Sequence, residues 1–119
     1  MIGELATSKA GHDKDRLYLV IGEEGDSVFL CDGRLRGVTN PKKKKKKHIQ
    51  IIHFAAKAGL MQKVQQPAAD REEEINEQIR SHLKEYHDRV ELLQLLRSMN
   101  KNYNQKVESY GGNLCLKVM

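Results

Sequence analysis

The sequence predicts a mainly β fold with an α extension: a small antiparallel barrel followed by a C-terminal amphipathic helix. Three observations carry this. Short apolar segments separated by turn-forming residues fill residues 1–56. An apolar stripe with helical spacing begins at Ile75. Between them six consecutive lysines, Lys42 to Lys47, run directly into "HIQIIHF". At 119 residues the chain suffices for one ordinary domain, or for a very small one with an extension. The expected organisation is a barrel over 1–56 that includes the lysine run, a linker or short helix over 57–69, a helix over 70–102, and a tail over 103–119.

"GELAT" reads as a first strand and "SKAGHDKDR" as the loop after it. Residues 17–22, "LYLVIG", are β-rich and almost continuously apolar, as in a strand buried on both faces. "EEGD" supplies a polar turn and "SVFLC" the next strand. Asp32-Gly33 is the strongest short hairpin signal in the chain, so "RLRGV" is expected to return as a strand that Pro41 closes. "HIQIIHF" provides the last strand, and five short strands with tight turns fit a closed or half-closed barrel. Tyr18 and Phe29 lie within strands and read as core.

From Asp70 the period changes. Ile75, Ile79, Leu83, Tyr86, Val90, Leu93, Leu96 and Met99 follow at steps of three or four. Asp70 and Glu73 have capping-box spacing, and Glu72 to Glu74 suit the positive end of the helix dipole. The stripe is expected to pack on the barrel, with Leu83, Tyr86, Val90 and Leu93 as the alternative surface for a protein partner or a short coiled coil. Gly111-Gly112 would end the helix, and "NLCLKVM" alternates as an added edge strand would.

Charge is localised. Residues 1–40 hold five Lys/Arg against seven Asp/Glu, a net −2; residues 41–66 hold eight and none, a net +8; residues 67–119 hold eight against nine, a net −1. One central segment therefore carries the whole excess, as a polyanion footprint would. No apolar run is long enough to span a membrane, and the N-terminus lacks the pattern of a secretory signal. Cys31 and Cys115 are far apart without a CxxC arrangement, which suits reduced thiols in the cytoplasm.

The stretch "TSKAGHDKDRLYLVIGEEGDSVFLCDGRL" resembles the KOW motif of ribosomal proteins and transcription elongation factors, and in particular small bacterial KOW proteins akin to large-subunit ribosomal proteins. Lys9-Ala10-Gly11 and His12-Asp13-Lys14 carry the resemblance, with the following apolar strand, Asp32-Gly33-Arg34-Leu35, Pro41 and the lysines. The resemblance implies an SH3-like barrel that contacts structured RNA, ribosomal RNA above all, with ribosomal proteins as neighbours. Gly11 would take a conformation closed to residues with a Cβ and turn the chain sharply. That turn would aim Lys9, His12, Lys14 and Arg16 at phosphates. The family has a glycine where Asp15 stands and often a full cation where His12 stands. Asp13 and Asp15 leave the loop nearly neutral, so the weight shifts to Lys42, Lys43, Lys44, Lys45, Lys46, Lys47 and His48, with Arg34 and Arg36 adding orientation.

Other readings are weaker. The lysine run without a partner would be a solvated tether. The histidines, His12, His48, His53, His82 and His87, lack the spacing of a metal site and are expected at the surface or at caps. Glu77 and Arg80 suggest a surface pair, and Cys31 reads as packing. No P-loop, nucleophile elbow or credible acid–base pair occurs, so neither enzymatic activity nor a cofactor, metal or small-molecule substrate is expected. The competing function, from another class, is a protein-interaction module of the elongation-factor type.

Overall fold

The computed structural model describes the backbone of residues 1–66 and 68–109, and side chains up to residue 100 apart from those of residues 67 and 69. Five strands form one antiparallel sheet: β1 (Leu5–Ser8), β2 (Leu17–Glu24), β3 (Ser27–Cys31), β4 (Lys42–Lys45) and β5 (Ile49–Ile52). Two helices follow, α1 (Ala58–Gln65) and α2 (Glu72–Ser109). The chain divides into two compact units, Met1–Tyr86 and His87–Met119, with the boundary inside α2.

The strand order is β4-β3-β2-β1-β5, so the sheet has two hydrogen-bonding edges and is not closed. A single 3-10 turn, Lys46–His48, joins the two edge strands. Alternation along the strands separates two cores. One face gathers Ala6, Tyr18, Val20, Val28, Leu30 and Ile49. The other gathers Leu5, Leu19, Cys31 and Val38, together with Leu60 and Val64 of α1 and Ile75 and Ile79 of α2. Two buried faces explain why residues 17–20 read as continuously apolar.

Two expectations fail at the third and fourth strands. "RLRGV" is not a strand. Asp32 Oδ1 accepts the backbone N–H groups of Arg34 (2.8 Å) and Arg36 (2.9 Å), which folds the segment into a compact loop. That loop docks on α2: Val38 N–H donates to Asn76 Oδ1 at 2.9 Å and Arg80 donates to the Gly33 carbonyl at 2.5 Å. Gly33, at φ +77°, lies so close to the helix that a Cβ would stand 2.3 Å from the Asn76 carbonyl oxygen. The partner strand of β3 is instead the lysine run, with Val28 opposite Lys44 and Leu30 opposite Lys42. Lysine is well suited to an edge strand, because its charge discourages a further strand from pairing there.

Helix α2 begins later and runs longer than expected. Asp70 lies in a 3-10 turn, Ala69–Arg71, rather than capping the helix. Glu73, not Glu77, pairs with Arg80, at 2.7 Å. Ile75, Ile79, Leu83 and Tyr86 pack into the core, as does His82, which is only 7 % exposed and stacks on Phe54 at 4.9 Å. His82 is therefore a core histidine rather than a surface or capping one. In the second unit Leu93, Leu96 and Met99 of the stripe are exposed. The tail strand expected over 113–119 and the Gly111-Gly112 stop lie outside the described residues.

Candidate nucleic-acid interface

The loop between β1 and β2 and the lysine strand meet at one end of the sheet. Gly11 has φ +87° and Asp15 φ +70°, so the two left-handed positions expected of this loop are both used, the second by an Asp. Lys9 N–H donates to the His48 carbonyl at 2.8 Å, which holds the start of the loop against the 3-10 turn after β4.

Asp13 is the anchor. It is 5 % exposed, and its carboxylate accepts from Lys44 Nζ (2.6 Å), Lys42 Nζ (2.9 Å), Ser8 Oγ (3.0 Å) and Tyr18 Oη (3.0 Å). Lys44 Nζ also donates to Ser8 Oγ (2.5 Å) and to the Ala10 carbonyl (2.7 Å), which ties the loop backbone to β4. Burial acts to raise the Asp13 pKa. The hydrogen bonds from Lys44, Lys42, Ser8 and Tyr18 outweigh it and hold the carboxyl well below the usual carboxylate range. The same site pushes Tyr18 up to about 12, through burial first and then its bond to the Asp13 carboxylate.

Alternation along β4 sorts the lysines. Lys42 and Lys44 turn inward to Asp13, whereas Lys43 and Lys45 turn outward. Lys43 lies 3.6 Å from Glu24 and 5.9 Å from the Phe29 ring centre, and Lys46 lies 3.0 Å from Glu23. Four of the six lysines are thus paired with three of the chain's own acids, Lys42 and Lys44 sharing Asp13; Lys45 and Lys47 have no acid within pairing distance among the described residues. The strip is therefore not a free polycation. Phe29 is half-buried beneath Lys43, and Tyr18 is fully buried.

The open cations are concentrated on the loop. Lys9, Lys14 and Arg16 are exposed, as is Lys47, and His12 and the half-buried His48 lie on the same two segments. Asp15 is the one exposed acid on the loop, because Asp13 is consumed inside. Arg34 is exposed and Arg36 half-buried on the 32–41 loop. That loop follows Cys31, which pairs with Leu19, so it leaves the sheet at the end where the 9–16 loop enters β2. The roles of Ser8, Asp13 and Tyr18 had no sequence signal beyond residue type, since their partners are brought in by folding.

Of the alternative partner residues, Leu83 and Tyr86 of the first unit are packed against the core; in the second unit Val90 is half-buried and Leu93 is exposed. Cys31 is fully buried, and burial, with the Asp32 charge behind it, pushes its thiol up to about 12. His87, Asp88 and Glu91 approach one another on the exposed surface of α2, with His87 nitrogens 3.7 Å from Asp88 and 3.6 Å from Glu91, the geometry of solvated helix ion pairs. No described helix is long and apolar enough to cross a membrane. No family model matches the chain, and no curated protein matches it.

Proposed function

We propose that this chain binds the phosphate backbone of structured RNA, as a ribosome-associated or ribosomal-protein-like factor of the cytoplasmic translation apparatus, with ribosomal RNA as its partner. The carrying observation is the buried Asp13 anchor. It removes the Asp13 charge from the surface and fixes the loop that carries Lys9, Lys14 and Arg16, whose first residue, Lys9, is held against the 3-10 turn that contains Lys47. The strand order, with both edge strands joined through one 3-10 turn, supports an SH3-like barrel of KOW type as the finer description of the sheet. Phosphate contacts of this kind orient a protein on folded RNA without reading bases. No exposed aromatic cluster among the described residues offers a stacking platform.

Retention on ribosomal RNA across a salt titration tests the reading. Four phosphate contacts would give a slope of log K against log salt of roughly −3 to −4. Replacing Lys9, Lys14, Arg16 and Lys47 together with Ala is expected to abolish retention, whereas Lys43→Ala with Lys46→Ala, already paired with acids, is expected to change it little. Retention that is indifferent to salt or to the fourfold substitution overturns the proposal. Stronger retention on duplex DNA of equal length overturns its RNA assignment.

A further inference from the structure

Past Tyr86, α2 displays Leu92, Leu93, Leu95, Leu96 and Met99, which are 55, 54, 58, 45 and 56 % exposed. At about 100° per residue these positions share one arc of the helix, while Gln94, Arg97 and Ser98 lie outside it. Large apolar side chains exposed side by side mark an interaction surface. The same helix is polarised in charge along its axis. Residues 84–91 carry Glu85, Asp88 and Glu91 against Lys84 and Arg89, a net −1, whereas residues 97–108 carry Arg97, Lys101 and Lys106 against Glu108, a net +2.

That polarity selects the occupant. Two such helices lying parallel would set acid beside acid and base beside base. Turned end for end, each acidic half lies along the basic half of its neighbour. A two-fold axis produces that match automatically, because the same patch serves both sides. We propose that the chain forms an antiparallel dimer, the leucine face of α2 packing on the same face of a second copy. With the two-fold between Leu95 and Leu96, each Leu92 stands level with Met99 of the second copy. The contact is short beside the ~800 Å² per partner of ordinary stable interfaces, so a dissociation constant in the micromolar range is expected. The inference does not depend on what the sheet end binds.

Sedimentation equilibrium of the full chain across the micromolar range is expected to show a monomer–dimer equilibrium. Leu92→Glu with Leu96→Glu is expected to leave a monomer whose thermal transition is unchanged, because neither side chain belongs to the core clusters. Orientation is read by spin labels at His87→Cys in a Cys115→Ser background; the buried Cys31 does not label. An antiparallel pair offsets the two labels by about 25 Å along the axis, whereas an in-register parallel pair holds them level and separated only across the pair, which gives the shorter distance. A monomer throughout, a dimer that survives the double substitution, or the short label distance each overturns the proposal.

Discussion

Asp13 gathers two ammonium groups and two hydroxyls in a site nearly closed to water, and that arrangement fixes how the protein responds to both mutation and pH. Asp13→Asn removes the anion and leaves Lys42 and Lys44 facing each other with Lys44 largely buried. The expected loss is about 2–4 kcal/mol of stability, measured by urea unfolding, because breaking one side of a buried charge network costs more than the network contributes. The folded-state pKa of Asp13 lies below its ordinary 3.8, so the unfolded chain takes up this proton first as pH falls. The site's contribution is complete above about pH 4 and is lost progressively below it, and Asp13→Asn is expected to flatten that acid limb of the stability curve. Tyr18 behaves oppositely. With its pKa raised from 10.0 to about 12, its contribution is present below pH 10 and lost between those values; Tyr18→Phe is expected to remove that alkaline dependence. Asp15 occupies left-handed backbone at φ +70° and is exposed. Asp15→Gly relieves that conformation at about the entropic cost glycine adds, so stability should change by under about 1 kcal/mol while RNA retention at fixed salt rises. Unchanged or weaker retention would count against the loop as the contact surface.

At the scale of elements, β4 is unusual in being built from lysine alone, and its pairing with β3 shows how such a strand is tolerated. Every second side chain is paired inside with the shared Asp13 carboxylate, and the others guard the free edge. Lys43→Val with Lys45→Val raises β propensity yet removes the guard. The double variant is expected to fold and then aggregate at concentrations where the parent stays clear, as followed by light scattering. The 32–41 loop is held by backbone proximity rather than by a strand. Gly33→Ala would drive a Cβ onto the Asn76 carbonyl at a left-handed position, and a loss exceeding about 2 kcal/mol in thermal unfolding is expected.

At the scale of the whole molecule, both core clusters are drawn from residues up to Tyr86, the boundary of the first compact unit. A chain ending at Tyr86 is therefore expected to keep the cooperative thermal transition of the full protein and its RNA retention, while losing self-association. Loss of cooperative melting on truncation would show that the second unit contributes to folding.

The strands read over 17–22, 27–31 and 48–54 and the packing stripe at Ile75, Ile79, Leu83 and Tyr86 were legible from the sequence, because β enrichment and a helical period are local properties, although Glu23 and Glu24, read as a turn, extend the first of them. The left-handed turns at Gly11 and Asp15 were legible only through the resemblance to the KOW motif, which has glycine at the second position. The fate of the lysines was not. Six identical residues carry no period, so nothing local separates a strand from a tether or an inward lysine from an outward one. Only β3, by offering a free edge, and Asp13, thirty-one positions from Lys44, settled which charges are spent inside the fold. The Asp32-Gly33 signal was overruled likewise, by an Asx-type turn and the close approach of α2. Sequence determined where this chain extends and where it coils; tertiary pairing decided which of its charges remain available, because a charge is neutralised by whatever folding brings to within a few ångströms of it.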